Sequence, residues 1–173
     1  MSSIIFTQSD CDFILSYWDD SKSIDGSGRG SYRLNDKSSV SFKRNVKGYY
    51  IDYSNTELIE FILKRLSALS IKSINGIKIT KYSKGDYFEP HHDFNSYNKG
   101  AVYKTLVVQL SNPHSYIGGD LYVKGKPQSR EQGAYSLFLS SAIHEVKLIE
   151  EGTRFSLVIF LFESDFANAK VLI

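Results

Sequence analysis

The segment TRFSLVIFLF (residues 153–162) is apolar on both faces that a strand can present. Successive strand side chains point to opposite sides, so Phe155, Leu157, Ile159 and Leu161 share one face, and Val158, Phe160 and Phe162 the other. A strand with water on one side alternates apolar with polar, whereas this one needs cover on both. The segment predicts a strand lying between a second sheet and covering helices. INGIKITKY, KTLVVQL, DLYV and AYSLFLS are further strand candidates, separated by Gly, Pro, Ser or Asn. The first carries an Asn75-Gly76 turn signal, then Ile77 and Ile79 on one face. The 12 Tyr and 11 Phe, against 3 Pro, suit pleated, half-buried surfaces.

Helical signals precede these strands. SDCDFILSYW places Cys11, Ile14, Leu15 and Trp18 at helical spacing. Ser54 and Glu57 read as a capping box, and Leu58, Ile62, Leu66 and Leu69 line one stripe behind it. Two helices followed by many short antiparallel strands predict a mainly β (α+β) fold, a sandwich or a jelly roll. Alternation alone does not choose between those two.

Between the helical signals lies GSGRGSYRLNDKSSVSFKRNVKGYY, residues 26–50. Arg29, Arg33, Lys37, Lys43, Arg44 and Lys47 stand there against one acid, Asp36. A solvated loop and hairpin is the plain reading. The sharper one is a hinged flap, with Tyr32, Phe42, Tyr49 and Tyr50 available to pack on an anionic or polypeptide substrate.

With 173 residues, the chain suits one domain with one core. A net charge of +2 does not by itself imply a nucleic-acid or membrane partner. Cys11 is the sole cysteine, which excludes a disulfide framework and suits a reducing compartment; in its apolar setting it reads as core. MSSIIFTQSDCD lacks the basic region and apolar run of a signal peptide, and no segment approaches the roughly 20 apolar residues of a membrane span. The expectation is a cytoplasmic protein with no membrane partner.

The chemistry concentrates in FEPHHDF, residues 88–94, in a chain with four histidines in all. By strand alternation His91 and Asp93 share a face and His92 points away. A third donor must come from elsewhere, and His144, after the strand AYSLFLSS and a short turn, is the best candidate. Two imidazoles and one carboxylate on one side of a metal form the set used by non-haem Fe(II) oxygenases. Arg154 lies ten residues after His144, with Ser156 on the same face. An arginine pointing inward with no carboxylate nearby in sequence asks for an anionic partner, and a bidentate carboxylate matches it best. His114, in SNPHSYIGG, reads as loop.

Tyr82, Gly85, Phe88, His91 and Asp93 match the pattern Tyr-x-x-Gly-x-x-aromatic-x-x-His-x-Asp. Thr105 with LVVQL, then Gly118-Gly119-Asp120-Leu121, then Gly133, Ser140, His144, Val146, Gly152, Arg154 and Ser156 follow in order. This set resembles the 2-oxoglutarate- and Fe(II)-dependent oxygenases, specifically their prolyl 4-hydroxylase-like branch. The resemblance covers about residues 75–163. It implies a double-stranded β-helix (jelly roll) core there, with supporting helices and the basic flap in about residues 1–74, the whole forming a single dioxygenase domain. It makes His91, Asp93 and His144 the iron ligands and pairs Arg154 with the distal carboxylate of 2-oxoglutarate. Tyr82 and Ser156 are similar to family residues that hydrogen-bond this co-substrate, and Gln109 occupies a central-strand position that faces it.

The implied cofactors are Fe(II), 2-oxoglutarate and dioxygen, with ascorbate as an accessory. The implied reaction couples decarboxylation of 2-oxoglutarate to hydroxylation of a substrate, with a peptidyl proline as the leading expectation. Two positions depart from the family. Val102, with Lys104 nearby, stands where many relatives carry an arginine, and Phe160 stands where many carry a tryptophan. These leave a free amino acid or other small metabolite as an alternative substrate, and a non-catalytic jelly-roll binding module as an alternative class. Phe160 also stands where a nucleic-acid dealkylase would carry a second arginine, which argues against a nucleic-acid substrate.

Overall fold

The computed structural model describes residues 4–35, 38–74, 76–93 and 103–165. Two helices, α1 (Gln8–Leu15) and α2 (Thr56–Leu66), are separated by β1 (Ile24–Asp25), β2 (Gly28–Asn35), β3 (Ser38–Asn45) and β4 (Lys47–Tyr50). Then come β5 (Ile77–Ser83), β6 (Tyr87–His91), β7 (Lys104–Gln109), β8 (Tyr116–Gly118) and β9 (Leu121–Val123). The series closes with β10 (Lys126–Pro127), β11 (Tyr135–Leu139), β12 (His144–Val146) and β13 (Ile149–Leu161). Among the described residues, no helix is long and apolar enough to cross a membrane.

The strands form two antiparallel sheets, which is the jelly-roll arrangement. One runs β1-β4-β5-β13-β7-β11, with β8 added on the first part of β13; the other runs β10-β9-β12-β6-β3-β2. The doubly apolar segment is β13, held between β5 and β7. One face presents Leu157, Ile159 and Leu161, all fully buried, to Cys11 and Ile14 of α1 and to Leu58, Ile62 and Leu66 of α2. Each such aliphatic side chain contributes about 1.5–3 kcal/mol by leaving water. The opposite face carries Arg154, Ser156, Val158 and Phe160 into the space between the sheets. The helices thus buttress one sheet and leave the inter-sheet cavity clear.

The helix starts differ from expectation. The capping box belongs to α1, where the Thr7 hydroxyl accepts from the Asp10 N–H and the Asp10 carboxylate accepts from the Thr7 N–H. Asp10 is also clamped by Arg65 of α2, through Nη2 at 2.8 Å and Nε at 3.1 Å. Ser54 and Glu57 form no box. Asp52 captures the Ser54 N–H at 2.7 Å, so α2 begins a residue later, behind Asn55, whose side chain makes no cap bond. Trp18 lies beyond the end of α1 and packs edge-on against Phe155 and Tyr49. Cys11 is fully buried, as a core residue should be.

The basic stretch forms the hairpin of its plain reading, followed by a further strand. β2 and β3 form a hairpin that extends the six-stranded sheet through Arg44↔Phe88 and Asn45↔Tyr87, while β4 joins the other sheet beside β5. The N-terminal part therefore supplies strands to both sheets as well as helices. Asn75, Val102, Asp36 and Lys37, and the side chains of Tyr32 and Arg33, lie outside the described residues.

Candidate metal centre and its cavity

His91 closes β6 and His144 opens β12, and the two are direct partners across that ladder. Cross-strand partners project to the same face, which brings their ring centroids to 4.2 Å. Asp93 lies two residues past the end of β6, so strand alternation does not position it. Its N–H donates to the Ser140 carbonyl at 2.9 Å, and its Oδ2 accepts from the buried Thr105 hydroxyl at 2.6 Å. Asp93 Oδ1 stands 3.8 Å from His91 Nε2, and Oδ2 stands 3.4 Å from His144 Nε2. One donor atom from each of the three residues falls within 4.8 Å of the others.

The imidazoles are prepared for a metal. His91 Nδ1 faces the Glu89 carbonyl at 2.8 Å, and His144 Nδ1 faces the Ala142 carbonyl at 3.0 Å. A carbonyl only accepts, so each Nδ1 carries the proton and each Nε2 lone pair points inward. Burial, with His144 alongside, holds His91 far below the ordinary histidine range and keeps it neutral. Phe88 stacks flat on His91, with centroids 3.6 Å apart and planes 7° from parallel. His92, half-buried, is not part of the cavity lining, and His114 is exposed in the loop after β7.

The three donors line a cavity of about 210 Å³ between the sheets, which Arg154 also lines. Arg154 is only 1% exposed. Its Nε and Nη2 both donate to Gln109 Oε1, at 3.1 and 2.8 Å, while its buried Nη1 has no hydrogen-bond partner among the described residues. Leaving a buried guanidinium donor unmet is costly, so this corner of the cavity is built for an acceptor. Gln109 holds the arginine and is not itself among the lining residues. Arg154 is the register partner of Tyr82, as Ser156 is of Thr80. Burial pushes the Tyr82 hydroxyl up to about 12, so it remains a donor. The Ser156 and Thr80 hydroxyls share a 2.7 Å hydrogen bond. Gly119, at φ +67°, lets the chain pass close by; a Cβ there would fall 2.1 Å from Ile149 Cδ1 and 3.3 Å from Arg154 Cδ.

Sequence reading missed the roles of Thr105 and Lys78, and named Arg44 only as one of the bases in the 26–50 stretch. Thr105 was placed on the central strand without its role as the hydroxyl that holds Asp93. Arg44 enters the cavity from the hairpin and lies 5.6 Å from the Phe88 ring centroid. Lys78 lines it from β5. Since Ile77 and Ile79 face the helices, alternation alone could have flagged Lys78 as facing inward.

An inter-sheet cavity carrying two histidines and an aspartate, with a buried arginine beside them, has the donor set that non-haem Fe(II) oxygenases use, here on a jelly roll. Residues 77–162 match the family model described as the 2OG-Fe(II) oxygenase superfamily. The chain is similar to that superfamily, whose members use Fe(II) and 2-oxoglutarate. It is 29% identical over 150 residues to a PKHD-type hydroxylase of Prochlorococcus marinus, an alignment covering 80% of this chain and 63% of that relative. Its fold is similar to the viral collagen prolyl hydroxylase of Paramecium Bursaria Chlorella virus-1, solved with 2OG, at a TM-score of 0.62 and 15% identity, over 90% of this chain and 91% of that one. It is also similar to a prolyl hydroxylase from Trichoplax adhaerens, solved with a hypoxia inducible factor peptide fragment, at a TM-score of 0.53 and 20% identity, over 69% of this chain and 63% of the other.

Proposed function

We propose that this chain is a 2-oxoglutarate- and Fe(II)-dependent dioxygenase that hydroxylates a polypeptide substrate, with a peptidyl proline as the target residue. The observation that carries the reading is the unpartnered, buried Arg154 Nη1 in the same cavity as the three metal donors. A dicarboxylate that chelates a metal at one end meets both needs.

In this reading His91 Nε2, His144 Nε2 and the Asp93 carboxylate hold the iron. Arg154 Nη1 takes the distal carboxylate of 2-oxoglutarate, with the Tyr82 and Ser156 hydroxyls beside it and Gln109 keeping the guanidinium in place. When bound, the iron supplies the oxidative chemistry that couples decarboxylation of 2-oxoglutarate to succinate with hydroxylation of a carbon. The chain's own residues fix the ligands, anchor the co-substrate and shield the site from water. Phe88, Val107, Leu121 and Val146 supply the apolar walls for that shielding.

The test is succinate release that needs both Fe(II) and 2-oxoglutarate, with mass spectrometry of proline-containing peptides for gain of one oxygen atom. Iron-dependent succinate without any hydroxylated peptide would keep the oxygenase and remove the peptidyl-proline substrate. Failure to bind metal or 2-oxoglutarate would remove both.

A further inference from the structure

The cavity has a second cationic pole, and its placement bears on the substrate. Lys78 sits on β5 on the same face as Thr80 and Tyr82, paired with Val158 across the ladder to β13. Tyr82 and Arg154 form the rung four residues away along both strands. Four strand residues span about 13 Å, roughly twice the length of a five-carbon dicarboxylate. The Lys78 side chain leans further from Arg154. Its Nζ lies 5.1 Å from the centre of the Phe160 ring, beyond Val158 on β13, and 5.8 Å from that of Tyr50 on β4. A co-substrate anchored on Arg154 therefore leaves Lys78 unmet.

The metal donors lie between the two poles. Thr105, which holds Asp93, is the register partner of Phe160, so the carboxylate ligand belongs to the Lys78 end. Among the described residues, the Lys78 ammonium nonetheless makes no hydrogen bond or salt bridge. Arg44, whose Nε donates to the Gly26 carbonyl, and the exposed Lys47 line the same cavity, and among the described residues its acids are Asp93 and the exposed Asp25. With Asp93 given to a cation and Arg154 to 2-oxoglutarate, the remaining space keeps an excess of positive charge. For the Lys78 ammonium, held in the cavity without an acid of its own, that position is unfavourable, and the two aromatic rings offset it only in part.

Building on the oxygenase reading above, we propose that Lys78, flanked by Tyr50 and Phe160, anchors a carboxylate of the prime substrate. The site then selects a target residue that ends in, or adjoins, a carboxylate: a chain-terminal proline, or a proline followed by an acidic residue. Tyr50 and Phe160 provide the flat walls for the ring, and Lys78 sets its register against the metal.

The experiment measures binding rather than turnover. Protein loaded with Mn(II) and 2-oxoglutarate is titrated with two matched pairs of probes, followed by paramagnetic broadening of the probe's proton signals. One pair is N-acetylglycyl-proline and its amide; the other is N-acetyl-prolyl-aspartate amide and its asparagine counterpart. In the wild-type protein, at least one acidic probe should bind about tenfold more tightly than its neutral partner. The pair that discriminates tells whether the carboxylate is terminal or on a side chain. Lys78→Met should erase the preference, and Lys78→Arg should retain most of it. Equal binding within both pairs, no measurable binding of any probe, or a preference that survives in Lys78→Met would each overturn the proposal. The wild-type pairs alone decide the matter if the methionine variant does not fold. Failure of the wild-type protein to load Mn(II) and 2-oxoglutarate, seen before any probe is added, would overturn the oxygenase reading instead.

Discussion

The Gln109 carboxamide oxygen accepts from both Nε and Nη2 of Arg154, and so decides which part of the guanidinium is left for a ligand. Gln109 is the register partner of Ser156, on the strand adjoining β13, so its side chain emerges on the cavity face next to the arginine. Gln109→Leu should raise the KM for 2-oxoglutarate about 3–30-fold, in line with loss of hydrogen bonds to a charged group. Gln109→Glu should raise it further, because a carboxylate there satisfies the arginine internally and competes with the co-substrate. Steady-state kinetics at varied 2-oxoglutarate check the order of the two variants. A Glu variant with the higher affinity would contradict the positioning role.

Arg154→Ala should raise the KM for 2-oxoglutarate by about one to three orders of magnitude, from the roughly 2–5 kcal/mol attached to a buried charge pair left half-made. Arg154→Lys should recover part of the loss, since a point charge remains without the planar fork. Isothermal titration of the Mn(II)-loaded protein with 2-oxoglutarate reads the same quantity without turnover. Unchanged affinity in the alanine variant would remove the carboxylate role.

Alanine at His91, Asp93 or His144 should abolish retention of iron, whereas His92→Ala should leave it close to wild type. Thr105→Val removes the hydroxyl that holds Asp93 and should weaken metal affinity about 10–100-fold, the usual cost of losing a group that orients a ligand. Thr105→Ser should restore it. Metal content after gel filtration, with a competitive chelator titration, separates these outcomes. Loss of iron in His92→Ala, alongside retention in His91→Ala, would reverse the ligand assignment.

Asp10 joins the start of α1 to α2 through Arg65, and the hydrogen bond from Arg65 is the main cause holding its carboxyl below the usual aspartate range. A carboxyl depressed in the folded state contributes stability above its unfolded value. That contribution is lost as pH falls through that value and toward the folded one. Asp10→Asn should therefore destabilise the protein by about 1–2 kcal/mol near neutrality, combining a weakened cap with a lost ion pair. The deficit should shrink as the pH drops below about 4, where the wild-type carboxyl begins to protonate. Urea titrations at both pH values check this. A deficit independent of pH would assign the effect to packing.

Much of the site was legible because period-2 alternation and short motifs are local properties. Phe155, Leu157, Ile159 and Leu161 against Arg154, Ser156, Val158 and Phe160 divide one strand into a helix-facing and a cavity-facing side, and a covered strand permits no other division. The pairing of His91 with Asp93 was also foreseen, though for an incomplete reason. Asp93 is oriented by Ser140 and Thr105, which are 47 and 12 residues away, and not by the pleat of β6. The α2 cap was misread because Ser54 and Asn55 compete for the same role, and Asp52 settles the turn that decides between them.

The sequence by itself determined that the chain forms covered antiparallel strands behind two helices, and it singled out His91, Asp93, His144 and Arg154 as the candidates for its chemistry. The first conclusion rests on residue type, spacing and alternation, and the second also on the resemblance carried by the ordered motifs from Tyr82 to Ser156; neither needs a long-range contact. Only the tertiary structure decided that His144 meets His91 rung to rung, that Gln109 serves Arg154, and that Lys78 shares the metal's cavity. Each is a meeting of residues distant in sequence, made by the pairing of strands into two facing sheets. Strand register is a cooperative outcome of the whole core, so no local segment contains it.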